Sequence, residues 1–128
     1  MKYLEKYKEE AYALMRVVTG LMFAFHGAQK ILGIFSEYQP PLGSQVWIGG
    51  MIELVCGLMI AVGFQTRWAA FLSSGTMAVA YAQFHWKFQM GENFLPAINK
   101  GEPALQYCLV FFYIACHGGG MLSLDRKK

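Results

Sequence analysis

Charged residues are scarce in this 128-residue chain. Asp, Glu, Lys and Arg make up only 15% of it, whereas 55% of the residues are hydrophobic. A soluble four-helix bundle, which is the alternative interpretation, needs a polar stripe along each helix. The long apolar stretches of this chain are apolar nearly all round, so the composition favours an integral membrane protein with the lipid bilayer as its main partner.

The signatures of several other protein classes are also missing. Cys56, Cys108 and Cys116 lie in apolar stretches and form no C-x-x-C pair or other metal spacing, so we expect small core residues. The basic residues form no stripe with interleaved aromatics, and nucleic acid is therefore not an expected partner. No cleavage site of small residues follows the first apolar run, which indicates a retained span and not a signal peptide.

Four apolar stretches organise the chain, over residues 11–35, 46–64, 67–86 and 102–119. Each approaches the ~20 residues that an α-helix needs to cross a bilayer. Pro40-Pro41 and Gly63 mark two of the turns between them. We predict a single all-α domain over residues 1–128, an integral membrane four-helix bundle with antiparallel up-down topology.

The positions of Lys and Arg predict the orientation. The two connections on the opposite side hold only Lys87 and Lys100, whereas the remaining basic clusters fall on one side of the membrane, at Lys2, Lys6, Lys8, Arg67, Arg126, Lys127 and Lys128. By the positive-inside rule both termini are expected in the cytoplasm. The expected location is the inner (plasma) membrane, crossed several times.

Glu53 is the only charged residue between Val46 and Gln65. An unpaired carboxylate inside a membrane costs at least about 2.5 kcal/mol, so the chain must supply a partner or a proton. Gly49 and Gly57 stand one turn before and after it, and we predict that this face of the helix makes a close helix–helix contact.

Depth along four antiparallel helices, at about 1.5 Å per residue, brings five polar residues into the outer half of the membrane. They are His26, Lys30, Glu53, His85 and Glu102. Imidazoles and carboxylates in a medium of low dielectric constant are typical of proton-handling sites. We therefore predict Glu53, His26 and Glu102 as catalytic, proton-transferring residues.

Three alternatives remain for these residues and for the longest connection. The alternative to a proton-transferring site is that Glu53 with Lys30 or His26 is a buried ion pair that holds the helices in register. Two histidines and two carboxylates are possible ligands for iron, copper or zinc, but no pair has a diagnostic spacing, so no metal is predicted. The apolar connection 87–101 is expected to be either a lid over the outer end or an anchor among lipid headgroups.

The order and spacing of several short motifs together resemble the DoxX family of small four-span membrane proteins, over nearly the whole chain. The motifs are Arg16, Phe25-His26-Gly27, Lys30-Ile31-Leu32-Gly33, Glu53 with Gly57-Leu58, Gly63-Phe64-Gln65-Thr66-Arg67-Trp68-Ala69-Ala70, Asn99-Lys100-Gly101-Glu102, Gly118-Gly119-Gly120 and Ser123-Leu124-Asp125. Family members often have a glycine pair where this chain has Lys100-Gly101, which adds a positive charge there.

The resemblance implies a membrane subunit of a redox system, similar to the quinone-facing partner in thiosulfate:quinone oxidoreductase. The positions shared with the family pattern are Arg16, His26, Lys30, Glu53, Arg67, Asn99, Glu102 and Asp125. The resemblance therefore adds Asn99 to the candidate site.

A quinone head requires hydrogen-bond donors at its carbonyls and proton donors as it is reduced. We predict that Lys30, His85, Asn99, Tyr81 and Arg16 bind it, with no covalently attached cofactor. Since no motif for an organic cofactor is present, a soluble or membrane partner must supply the electrons. The alternatives are a non-enzymatic scaffold for a soluble oxidoreductase and a carrier for a small anion. The glycine-rich faces suggest a homodimer.

Overall fold

The computed structural model describes residues 1–127, with side chains as far as Asp125. The regular secondary structure of these residues is entirely helical, with no β-strand, which confirms the all-α class. The α-helices are α1 (Lys2–Glu5), α2 (Lys8–Leu32), α3 (Gln45–Val62), α4 (Thr66–Ala80), α5 (Pro96–Asn99) and α6 (Glu102–His117). A π-helical segment, Tyr81–Trp86, continues α4, and 3₁₀ turns occupy Glu92–Phe94 and Leu124–Lys127.

Two of these helices are long and apolar enough to cross a membrane. They are α2, with 25 residues, and α3, with 18 residues. Helix α4 has 15 residues and α6 has 16, so each is shorter than the stretch predicted for it. The π-helical segment lengthens α4 to the end of the predicted third stretch, at Trp86.

Glycines bring α2 and α3 into backbone contact. A β-carbon added at Gly27 would lie 2.3 Å from the Leu54 nitrogen, and one at Gly57 would lie 2.5 Å from the Ala24 nitrogen. Gly57 therefore makes the predicted close contact, but Gly49 does not, because a β-carbon there would meet nothing within 4 Å. Gly50 makes the contact instead. It precedes Gly57 by seven residues, which places the two about 20° apart around the helix axis, whereas Gly49 precedes Gly57 by eight residues and lies about 80° away from it.

The Gly27→Ala substitution is expected to destabilise the protein by about 1–3 kcal/mol, because the new methyl group must push two helix backbones apart. The Gly49→Ala substitution is the matched control, and it should be neutral or stabilising because alanine favours helix and finds open space there. Thermal unfolding of both purified variants in detergent measures the difference. Equal midpoints would show that the α2–α3 contact is not as close as described.

Helix α6 completes the core by packing against both α2 and α4. Phe23 of α2 reaches Phe111 of α6, with ring centroids 4.7 Å apart, and both side chains are fully buried. Ser74 donates a hydrogen bond to the Cys108 carbonyl at 2.8 Å, the packing role expected of a hydroxyl in a helix face. Cys56 is buried as predicted, whereas Cys116 is exposed and is not a core residue.

The end of the molecule that holds the turn between α3 and α4, here called the inner end, is organised by Arg16. Its guanidinium is fully buried and donates to four carbonyl oxygens. Two belong to Ile60 and Ala61, in the last turn of α3, at 2.6 and 2.8 Å. The other two belong to Met121 and Leu122, at 2.9 and 2.7 Å. Arg16 therefore ties α2, α3 and the C-terminal segment together.

Asp125 caps helix α4 from the far end of the chain. Its carboxylate accepts hydrogen bonds from the backbone N–H groups of Gln65 and Thr66, at 2.9 and 2.8 Å. Thr66 is the first residue of the helix, and its buried hydroxyl has no hydrogen-bond partner among the described residues. The guanidinium of Arg67 binds carbonyls at the end of α6. The turn between α3 and α4 is thus held to the C-terminal segment by Asp125 and to α6 by Arg67.

Candidate functional site

The main cavity lies at the opposite end of the molecule, here called the outer end, where α3 begins and α4 finishes. It has a volume of about 790 Å³, within the usual range for small-molecule sites. Its walls come mainly from α3 and α4, with further residues from α2, α6 and the π-helical segment. Most of them are apolar, and the polar lining side chains are His26, Lys30, Gln45, Glu53, Thr76, His85 and Tyr107.

An ion pair lies in this cavity. The Lys30 ammonium donates to both carboxylate oxygens of Glu53, at 2.8 and 3.0 Å. The Glu53 side chain is 5% exposed and that of Lys30 is 34% exposed. Lys30 therefore compensates the isolated carboxylate while part of its own surface remains accessible from the cavity.

His26 and Tyr107 form the part of the wall between α2 and α6. The His26 ring stands edge-on to the Tyr107 ring, with centroids 6.1 Å apart, and Tyr107 stacks on Phe111 at 5.6 Å. Tyr107 was not among the predicted site residues. The signal for it was its spacing of four residues from Phe111, which puts both aromatic rings on one face of α6.

His85 lines the same cavity, but Asn99 and Tyr81 do not. The His85 Nδ1 atom lies 3.3 Å from the Asn99 carbonyl oxygen. The Asn99 amide donates to the Tyr81 hydroxyl at 3.2 Å and to the Asn93 carbonyl at 2.9 Å, and its Oδ1 accepts from the Gly101 N–H at 2.8 Å. Asn99 and Tyr81 therefore hold the outer connection together behind His85.

Besides Asn99 and Tyr81, two further predicted site residues lie outside the cavity lining. Glu102 is exposed and does not line it, because Ala104, which does, follows two residues later and points about 200° away on the helix. Arg16 precedes His26 by ten residues, about 15 Å along α2, and binds the carbonyls of the inner end. The outer polar cluster consequently contains His26, Lys30, Glu53 and His85.

The connection 87–101 does not cover the cavity, since none of its residues lines it. Its apolar side chains are exposed instead, including Phe88, Met90 and Ile98. Phe94 packs edge-on against Trp86, with ring centroids 6.1 Å apart. This arrangement favours the headgroup anchor over the lid. In residues 1–127, no three His, Cys, Asp or Glu side chains are grouped as metal ligands.

A second cavity, of about 800 Å³, lies at the inner end beside Arg67, His117 and Asp125. Two of its charged groups are already engaged in holding the fold, because Arg67 binds the carbonyls of α6 and Asp125 caps α4. The outer cavity, which contains the Lys30–Glu53 ion pair and most of the predicted site residues that lie together, is the stronger candidate site.

Comparison with known proteins gives one family. Residues 11–86 match the model of the DoxX family. The chain is also 37% identical over 131 residues to an uncharacterized protein of Haemophilus influenzae, with 99% of this chain and 97% of that protein covered. No solved structure matches the chain significantly.

Proposed function

The chain belongs to the DoxX family of membrane proteins, and we propose that it is the small inner-membrane subunit of a quinone-linked oxidoreductase system. The outer cavity holds the quinone head. The observation that carries this proposal is the Lys30–Glu53 ion pair, with its partly exposed lysine side chain, in a largely apolar cavity of about 790 Å³.

The proposed topology is an antiparallel bundle of four spans with both termini in the cytoplasm. Helices α2 and α3 are the two candidate spans. Gly27 of α2 meets Gly50 of α3, whereas Gly20, earlier in α2, meets Gly57, later in α3. This reversed order of contacts supports the antiparallel arrangement of the two helices. Helix α4 with its π-helical extension and α6 supply the other two spans. The glycines of this contact pack against another helix of the same chain. They therefore no longer support the prediction of a homodimer.

The residues of the cavity suit the two requirements of quinone chemistry. The Lys30 ammonium and the imidazole of His26 or His85 are donors for the two quinone carbonyls. Glu53, which accepts hydrogen bonds from Lys30, passes protons to the reduced quinone. Electrons come from a partner protein of the oxidoreductase system.

The geometry gives less support to the two alternative functions. Glu53 already balances the charge of Lys30, so the described residues that line the cavity include no lysine or arginine free to bind a small anion. A scaffold would need a surface for its soluble partner, and the basic tail Arg126–Lys128 is a candidate, but the side chains of this tail lie outside the part of the chain that the structure describes. A tail deletion that abolishes partner binding, with the cavity residues dispensable, would favour the scaffold.

Substitutions of the donors test the proposed site. His26→Ala and Lys30→Met are each expected to weaken quinone binding by roughly tenfold, the effect of losing one hydrogen bond of about 1.4 kcal/mol. Quenching of tryptophan fluorescence by ubiquinone-1, with the protein in lipid nanodiscs, measures the affinity. His117→Ala, at the inner end, is the matched control and should bind as the wild type does. Wild-type affinity in both cavity variants would contradict the proposal.

A further inference from the structure

The outer cavity opens sideways between α3 and α4. Several of its apolar lining residues are themselves about half exposed, among them Ile48 at 50% on α3 and Phe71 at 59% and Val79 at 48% on α4. Side chains that are both exposed and part of a cavity wall form its rim. If α3 and α4 span the membrane, this rim faces lipid hydrocarbon, not water.

Two glycines keep the opening wide. A β-carbon at Gly49 of α3 or at Gly75 of α4 would meet nothing within 4 Å, and both residues line the cavity. Neither has a positive φ angle, so the backbone does not require glycine at either position. Glycine within a helix costs about 1 kcal/mol relative to alanine. Unlike Gly27 and Gly57, these two glycines give no close packing in return, and what they provide is empty space.

The opening lies at the level of the ion pair. The Gln45 amide donates to the Gln83 side-chain oxygen at 2.5 Å, which joins α3 to the π-helical segment at the outer end. Eight residues inward from this bridge, α3 reaches Glu53 and α4 reaches Gly75. Since both segments are helical, these two residues lie at roughly the same depth. The opening is therefore bridged on its outer side by Gln45 and Gln83, and it lies at the depth of Glu53 and its partner Lys30.

We propose that this opening is a lateral portal for a quinone with a long prenyl tail. The head lies at Lys30 and the tail leaves between Gly49 and Gly75 into the lipid. This inference rests on the proposed quinone function and adds the tail and its route. The tail gains no hydrophobic free energy in the portal, because the lipid outside is equally apolar. The portal instead provides a path, so blocking it should affect tailed quinones and spare tail-free ones.

The Gly49→Leu and Gly75→Leu variants test the portal, because the helical backbone and the empty space admit the larger side chain. The probes are decylubiquinone and the same head without a tail, 2,3-dimethoxy-5-methyl-1,4-benzoquinone, bound to the full-length protein in nanodiscs. We expect decylubiquinone to bind at least about tenfold more weakly to each variant, and the tail-free head to change by less than about threefold. Ala78→Leu, on the exposed surface of α4 outside the cavity, is the matched control and should leave both affinities unchanged.

The outcomes separate the portal from the head site. Unchanged decylubiquinone binding in both leucine variants would overturn the portal, while binding that still depends on His26 and Lys30 would leave the head site in place. An equal loss for Ala78→Leu would also overturn it, since the effect would then not depend on the opening. Failure of the wild-type protein to bind either probe would overturn the portal and the proposed function together.

Discussion

The Arg16→Met substitution is expected to destabilise the protein by at least about 3 kcal/mol, because four buried or partly buried carbonyl oxygens lose a charged donor together. Methionine fills a similar volume but donates no hydrogen bond. A loss of this size should lower the thermal midpoint of the purified protein in detergent by roughly 10 °C. The C-terminal segment, which Arg16 binds through Met121 and Leu122, should also become more accessible to proteases.

Arg67→Met is the control for this prediction. Arg67 also donates to backbone carbonyls at the inner end, but its side chain is exposed, so water can replace the bonds that are lost. We expect a loss of about 1 kcal/mol or less. Similar midpoints for the two variants would contradict the central role assigned to Arg16.

The two partners of the Lys30–Glu53 ion pair are expected to respond unequally to removal. Lys30→Met leaves the nearly buried carboxylate of Glu53 without its ammonium, which should cost about 2.5 kcal/mol or more. Glu53→Gln leaves Lys30 without its carboxylate, but the Lys30 side chain is one-third exposed and lies in the last turn of α2, so its flexible stem can carry the ammonium towards the membrane surface. The expected loss is therefore about 1 kcal/mol or less. Thermal unfolding of both variants in nanodiscs measures this difference.

A double variant distinguishes the cost of leaving one charge unpaired from the effect of removing the whole ion pair. Replacing Lys30 and Glu53 together by methionine removes both charges, and apolar replacements of a buried pair are often neutral or stabilising. The double variant should therefore be more stable than Lys30→Met alone, whereas its quinone binding should remain weakened by at least roughly tenfold, because the Lys30 donor is still missing. If Lys30→Met proved as stable as wild type, the carboxylate would have another partner and the proposed site would need revision.

The sequence indicated the members of the outer cluster better than their contacts. Depth along the helices brought His26, Lys30, Glu53 and His85 to one end, and all four line one cavity. Depth contains no information on rotation about each helix axis, and for that reason Glu102 was included although its side chain points away. Arg16 lies on the same side of α2 as His26, but it is displaced along the helix axis and binds the carbonyls of the inner end instead of lining the cavity.

The glycines of α3 show the same limit, because the sequence gives their spacing but not which of them contacts another helix. In α3 the sequence contains Gly49, Gly50 and Gly57, and no local rule distinguishes which of them contacts a neighbour. The contact belongs to Gly50 and Gly57, whose spacing of seven residues keeps them on one face, while Gly49 opens into the cavity. Tyr107 was missed for a related reason, since its contact with His26 depends on how α6 is rotated towards α2.

The amino-acid sequence by itself determined the all-α class, the positions of the apolar helices and the need of Glu53 for a partner. Each of these follows from local composition, because the length of an apolar run and the cost of a lone charge require no knowledge of neighbours. Only the tertiary structure decided that Lys30 is the partner, that Arg16 binds the inner end, and that Gly49 and Gly75 border an open cleft. These depend on the relative rotation of packed helices, which arises from side-chain contacts between segments far apart in the chain.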